Sequence, residues 1–242
     1  MSFKDPSPLK REFYNRNTIK VAKELLGKII VRDVNNGHML SQIVEVEAYT
    51  SGIKDRASHA WKHRTKRNKN MFGKNGVSYV YLSYGMYFMF NIVAKEQEED
   101  AGAVLVRAVE PIIGIEQMKI NRKVIKETEL TSGPGKLTQA LIIDKRLNGK
   151  DLTKKGELYI ANGKSEIEKI STSPRIGISD FCPKCNSKLI IGEEMVENKP
   201  KSKILCRICN NSLSKSMLAT KKQWRFYLKD NYFVSKHKFN AI

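Results

Sequence analysis

The chain has 242 residues, enough to bury a core as one domain or as one domain with an appendage. Hydrophobic residues make up 40%, which excludes wholesale disorder, and the longest apolar runs, such as Val104 to Val106, fall far short of a membrane span. Lys and Arg number 44 against 25 Asp and Glu, a net charge of +19 that favours a polyanionic partner, nucleic acid ahead of the bland reading of a Lys-rich soluble protein.

Met1 to Lys10 carries no apolar stretch of the kind a signal peptide needs, so a secreted protein is not expected. Asn17-Thr18 offers an N-cap, Val21, Ala22, Leu25 and Leu26 form an apolar stripe, and Gly27 closes this short helix. Strand-like Lys28 to Val31 and an Asn35-Asn36-Gly37 turn lead into a returning strand from Leu40 to Tyr49. Its alternation predicts Ile43, Glu45, Glu47 and Tyr49 on one face and Val44, Val46 and Ala48 on the other. A basic loop, Lys62 to Lys69, precedes a strand pair over Ser78 to Val93, with Ser83-Tyr84-Gly85-Met86 as its tip and Phe88, Phe90 and Ile92 as its core face. Gly102 to Glu110 reads as a strand, with Pro111 opening a helix. Ser132-Gly133-Pro134-Gly135 precedes a helix carrying Leu137, Ala140 and Leu141. After Pro174-Arg175-Ile176-Gly177 the composition shifts to a Cys/Lys/Asn segment, before a last strand from Trp224 to Val234.

Two carboxylates on one strand face, Glu45 and Glu47, stand about 7 Å apart at Cα from strand rise, a spacing suited to hydrolysis of a glycosidic bond. Solvated glutamates on an exposed strand show the same pattern, but Ile43 and Tyr49 beside them argue for a partly buried face. Arg107, flanked by Val106 and Ala108, needs a carboxylate or phosphate partner if buried, and Glu47 is available; a structural salt bridge and a functional pair both fit. Tyr84 at a hairpin tip is hard to assign to a core and suits a partner's surface. His59 fits a metal ligand, a base contact or a plain loop residue. The sharpest local signal is Cys182-Pro183-Lys184-Cys185 followed by Cys206-Arg207-Ile208-Cys209. Two C-x-x-C knuckles at this separation match a zinc ribbon, and four thiolates close the coordination shell, so one structural Zn2+ is expected and no catalytic cofactor. Locally paired cysteines of this kind suit a reducing compartment.

Together these segments resemble the alkyladenine (3-methyladenine) DNA glycosylase family. The resemblance begins at Phe13-Tyr14 and runs through Leu25-Leu26-Gly27, Ile43 to Tyr49, Arg67-Asn68 and Met71-Phe72. It continues through Tyr79 to Asn91, Leu105 to Pro111, Ser132-Gly133-Pro134, Arg175-Ile176-Gly177 and Arg225-Phe226-Tyr227. It implies a single α+β domain around a curved antiparallel sheet with flanking helices, here residues 1–179 and 223–242, with residues 180–222 as a zinc-ribbon insertion foreign to the family. It implies a monofunctional, purine-specific DNA N-glycosylase of base excision repair, a hydrolase acting as a monomer on double-stranded DNA that contains damaged purines, without a membrane. The lesion class is alkylated or deaminated purines such as 3-methyladenine, 7-methylguanine, hypoxanthine and ethenoadenine, flipped from the duplex and released to leave an abasic site. The compartment that follows is cytoplasmic and nucleoid-associated, or nuclear.

The resemblance also implies roles. Glu47 activates the attacking water, Arg107 helps to hold it, and Ile176 contributes a main-chain contact. Tyr49, His59 and Tyr81 sandwich the flipped base, within a pocket that includes Leu105, and Asn91 discriminates against normal guanine. Tyr84 fills the gap left in the duplex, with Met86 and Tyr87 beside it in the minor groove. The Tyr49-to-His59 interval is one residue longer than the family pattern. Residues 180–222 carry +5, leaving +14 on the remainder, so the body is basic enough to bind DNA without the ribbon, whose task is holding flanking DNA or bracing the last strand. The competing readings are a non-catalytic zinc-ribbon nucleic-acid-binding protein and a carbohydrate glycosidase using Glu45 and Glu47.

Overall fold

A computed structural model describes the chain except residues 1–5, 35–36, 164–168, 183, 186, 190–194, 197–198, 201–202, 215–217, 239 and 241–242. Asn17 caps the first helix as its sequence predicts: its side chain accepts from the N–H of Ile19 (3.0 Å) and Lys20 (3.3 Å), and α1 (Thr18–Leu25) buries Val21, Ala22 and Leu25. Gly27, at φ 78°, turns the chain into β1 (Ile29–Val34). The expected Asn35-Asn36 turn lies outside the described residues. The chain returns in β2 (Gly37–Thr50), the longest strand.

Among the described residues all strand pairings are antiparallel, and eight strands form one open sheet. β3 (Ser78–Ser83), β4 (Tyr87–Val93), β5 (Gly102–Ile113), β2, β1 and β6 (Leu158–Ala161) follow in that order. β5 lines one edge of β2 from Leu40 to Thr50. The opposite edge is shared: β1 pairs with Gly37 to Gln42, and β12 (Arg225–Leu228) pairs with Glu45 to Glu47 and carries β7 (Ile170–Ser173) outside it. The sheet forks along β2, where the two neighbours meet.

The three α-helices among the described residues cover one face. α1, α2 (Ile115–Arg122) and α3 (Pro134–Ala140) contribute Val21, Leu25, Met118, Leu137 and Ala140 to the main core, against Ile43, Val46, Ala48, Val80, Phe90, Ile92, Val104, Val106 and Val109. The opposite face carries Glu47, Tyr79, Asn91 and Leu105. Near the C-terminus lie four short strands, β8 (Met195–Val196) paired with β9 (Lys199–Pro200), and β10 (Lys203–Leu205) paired with β11 (Ser212–Ser214). There Cys182, Leu189, Ile204, Cys206, Leu213 and Leu218 form their own small core, the setting a zinc-ribbon insertion requires.

Three expectations are corrected. Ile43 does not share a face with Glu45, Glu47 and Tyr49 but packs in the helix-side core with Val46 and Ala48. The cause is a bulge: Ile43 pairs with Val109 and Glu45 with Ala108, so Val44 has no partner in this ladder and the alternation slips by one. Pro111 does not open a helix. It lies inside β5 opposite Ser41, at a register irregularity that tolerates a residue without an N–H, and α2 starts only after Gly114, at φ 81°. The last strand stops at Leu228 rather than reaching Val234. The chain turns at Asp230 (φ 63°) and brings Val234 and Ser235 back against the sheet.

Candidate active site

One cross-strand row builds the site. Tyr79 pairs with Asn91, Asn91 with Leu105, Leu105 with Glu47, Glu47 with Arg225, and Arg225 with Ser173. Residues directly opposite in an antiparallel sheet point to the same side, so six strands deliver these side chains to the face without helices. A cavity of about 480 Å³ opens over the Tyr79, Asn91 and Leu105 end of this row, a size in the usual range for small-ligand sites; Glu47 lies behind its wall, in contact with the lining residues Tyr49, Arg107 and Ile176. Its lining includes Tyr49, His59, Tyr81, Asn91, Leu105, Arg107, Ile176 and Tyr84.

Arg107 reaches this face through a second bulge. Val106 and Val109 face the helix-side core, whereas Arg107 and Ala108 both face away from it, and Arg107 has no partner in the β2 ladder. The extra residue on β5 compensates the extra residue on β2, so register is restored at Val46 with Glu45 and Arg107 brought together. Arg107 Nε donates to Glu45 Oε1 at 2.9 Å, and its Nη1 lies 3.3 Å from Glu47 Oε1. The sequence offered Glu47 as partner; the structure gives Arg107 both carboxylates. Burial opposes the charged guanidinium, but Glu47 and Glu45 outweigh it and raise the arginine's pKa.

Glu47 is fully buried, and each of its oxygens has a partner. Oε1 accepts from the Ile176 N–H at 2.7 Å, and Oε2 accepts from the Tyr49 hydroxyl at 2.8 Å. Burial, then the neighbouring Glu47, pushes the Tyr49 phenol well above its ordinary pKa and keeps it a donor. Ile176 is held by the residue before it. Arg175 and Asp55 form a buried bidentate pair at 2.8 and 2.6 Å, Arg175 Nη1 also donates to Ala48 O, and its guanidinium lies 4.5 Å from the Tyr49 ring centre.

The aromatic wall is His59, Tyr79 and Tyr81. His59 and Tyr81 ring centres are 4.6 Å apart, and His59 Nδ1 lies 2.9 Å from the Tyr79 hydroxyl. Desolvation against this wall, then Arg67, lowers the His59 pKa to about 4, so the ring is neutral near pH 7. Asn91 Nδ2 donates to the carbonyls of Tyr79 (3.0 Å) and Met89 (3.3 Å).

At the rim, Tyr84 and Gly85 form the β3–β4 tip with φ of 50° and 71°, the paired left-handed conformation that a type I′ turn needs. Tyrosine is a poor choice there on conformational grounds, and its side chain is 89% exposed. Met86 and Tyr87 beside it are also exposed.

Away from the cavity, Cys182, Cys185, Cys206 and Cys209 converge so that their sulfurs all lie within 4.8 Å of one another. Sulfurs around a tetrahedral zinc stand roughly 3.8 Å apart, from a metal–sulfur length near 2.3 Å; Cys182 with Cys209 and Cys185 with Cys206 are 3.5 Å apart here. The cluster is compatible with a closed structural zinc site.

Sequence reasoning passed over Arg225, Arg175, Asp55 and Tyr79 as individual contributors. The signal that singled out Arg107, an arginine among apolar strand residues, is also present at Arg225 between Trp224 and Phe226. Glu45 does not act beside Glu47 as an acid–base pair: both its oxygens are taken up by two arginines and Ser235. This removes the basis for the carbohydrate glycosidase reading.

The model for Methylpurine-DNA glycosylase (MPG) matches residues 12–182. A protein of Natranaerobius thermophilus is 37% identical over 228 residues, covering 93% of this chain and 96% of its own length. One from Clostridium tetani is 40% identical over 237 residues, covering 94% and 98%, and one from Methanocella arvoryzae is 48% identical over 171 residues, covering 70% and 84%. Each carries the name "Putative 3-methyladenine DNA glycosylase". The class so defined is that of DNA N-glycosylases, hydrolases of DNA repair. Within it, the chain belongs to the methylpurine-DNA glycosylase family. Among the described residues no helix is long and apolar enough to cross a membrane.

Proposed function

We propose that the protein flips an alkylated or deaminated purine out of double-stranded DNA into the cavity of about 480 Å³ and hydrolyses its bond to deoxyribose with water activated by Glu47. The observation that carries this reading is Glu47 itself. A buried carboxylate is held by Ile176 N–H, Tyr49 and Arg107, three residues that line a cavity walled by tyrosine and histidine rings.

In the reaction the base–C1′ bond breaks and its electron pair leaves with the purine. A water oxygen bonds to C1′, and its proton passes to Glu47. A ring-alkylated purine is already cationic, so it departs neutral without a protein acid and binds well on the faces of Tyr49 and Tyr81. Glu47 also offsets the positive charge that develops on the sugar. His59, uncharged, completes the sandwich without repelling a cationic base. Asn91, which lines the cavity, discriminates against the amino group of normal guanine on this reading. Tyr84 enters the gap that the flipped base leaves, with Met86 and Tyr87 in the minor groove, and recovers stacking lost on flipping. Residues 1–179 and 223–242 form the glycosylase domain, working as a monomer. Residues 180–222 form a ribbon on one zinc held by the four cysteines, a division supported by the return of the chain to the sheet in β12.

The test is single-turnover excision from duplexes carrying 7-methylguanine or hypoxanthine. Glu47→Gln should abolish base release while keeping duplex affinity within a few fold, and borohydride should trap no protein–DNA adduct, because water rather than a lysine attacks. Substantial excision by Glu47→Gln, or a trapped adduct, refutes the hydrolytic reading. Duplex binding with no base release by the wild-type chain would favour the non-catalytic nucleic-acid-binding alternative.

A further inference from the structure

Behind the cavity lies a carboxylate that the hydrolysis does not use. Glu45 is fully buried, and its oxygens accept four hydrogen bonds. Oε1 receives Arg107 Nε at 2.9 Å, Arg225 Nε at 2.7 Å and Ser235 Oγ at 2.8 Å; Oε2 receives Ser235 N–H at 2.7 Å. Arg225 is anchored in turn by Ser173 Oγ at 2.9 Å and Asn240 Oδ1 at 2.8 Å, and packs over the Tyr227 ring. A line of alternating charge, Glu47–Arg107–Glu45–Arg225, therefore runs past the cavity wall, where Arg107 lines it, to the C-terminal residues.

A buried ion pair is a poor stabiliser, since apolar residues of similar volume often serve as well or better. Keeping four linked charges under the site calls for another reason, and the geometry of Arg107 supplies one. A guanidinium held by one carboxylate can swing about that contact. Held through Nε by Glu45 and through Nη1 by Glu47, its plane is fixed at two points, and Nη2 has no acceptor among the described residues although Arg107 lines the cavity. Burial alone raises the Glu45 pKa, yet Arg107 and Arg225 hold it below the ordinary value, so the anchor is charged. The two compensating bulges fall at Val44–Glu45 and at Arg107, where they are needed to aim this contact.

We propose that Glu45 is a positioning residue for the hydrolytic pair, held in turn by Arg225 and Ser235, so that the C-terminal segment orients Arg107 from behind the sheet. This rests on the reading of Glu47 and Arg107 given above. It adds a requirement for chain well outside the cavity, beyond residue 230.

The test uses the full chain, with single-turnover excision of hypoxanthine at saturating enzyme, duplex Kd and thermal midpoint measured for each variant. Glu45→Gln keeps the shape and removes the charge. It should slow excision on the order of tenfold to a hundredfold, the penalty of a small misplacement of a catalytic group, with Kd close to that of the wild type. In an Arg107→Lys background, where the Nε contact is already gone, Glu45→Gln should slow the reaction little further. Ser235→Ala, which removes one of the four donors, should slow excision with little loss of stability and serves if Glu45→Gln does not fold. Wild-type excision by Glu45→Gln or, failing that, by Ser235→Ala, with Glu47→Gln inactive, overturns the positioning role and leaves the site reading standing. So does a slowing that is additive with Arg107→Lys. Excision by both glutamine variants overturns the site reading itself.

Discussion

Tyr84→Ala separates a DNA-inserting side chain from a structural one. The ring is 89% exposed and sits on a residue at φ 50°, so its removal deletes almost no packing, and alanine bears a similar left-handed cost. Folding stability should therefore change by no more than about 0.5 kcal/mol, as at other exposed positions. On the proposed reading the same ring fills the space left by the flipped base, where stacking contributes about 1–3 kcal/mol. Its loss should weaken binding to a hypoxanthine duplex roughly 5- to 150-fold. Affinity for the matched undamaged duplex should hold, because phosphate neutralisation by the basic surface carries it. Fluorescence anisotropy at fixed salt, in a Glu47→Gln background that prevents turnover, measures both. Equal losses on the two duplexes, or a thermal midpoint several degrees lower, would refute the insertion role and return Tyr84 to a structural one.

Asp55→Ala leaves Arg175 buried without its carboxylate; breaking such a pair costs about 3–5 kcal/mol. At roughly 2–4 °C per kcal/mol for a chain of this size, calorimetry should show the midpoint falling by about 6–20 °C, and a shift under 2 °C would contradict the assigned pairing. Metal analysis should find one zinc per chain. Chelation or Cys206→Ser should lower thermal stability or DNA affinity while single-turnover chemistry survives; a folded, zinc-free protein that binds lesion DNA normally but releases no base would contradict a purely structural metal. The lowered pKa of His59, about 4 against 6.5 in the unfolded chain, has a definite sign. Between these values the unfolded chain holds the proton and the folded one does not, so stability falls as pH drops through that window. His59→Phe should flatten that part of the stability profile, and an unchanged slope would show that His59 is not its source.

How much of this was legible in the chain depends on the range of the forces involved. The N-cap at Asn17, the strand pair around Tyr84, the start of α3 at Pro134 and the paired cysteine knuckles are set by neighbours within a few residues, through capping, turn chemistry and ligand spacing. Glu47, Arg107 and Tyr84 stood out because a carboxylate, an arginine in an apolar strand and a tyrosine at a tip are each costly without a partner. Period-two reasoning failed at Ile43 because a bulge is a property of two strands, not one: the slip at Val44 is tolerated only because Arg107 on β5 slips in compensation. Pro111 read as a helix start for the same reason, since its place in a ladder depends on the irregularity opposite it at Ser41. The sharing of Arg107 between two glutamates, the closure of Glu45 by Ser235, 190 residues away, and the support of Ile176 by Asp55 through Arg175 were decided by tertiary structure alone. Desolvation makes each of these charges intolerable unless paired, but only the folded sheet, by setting which strands lie side by side, determines which partner each one finds.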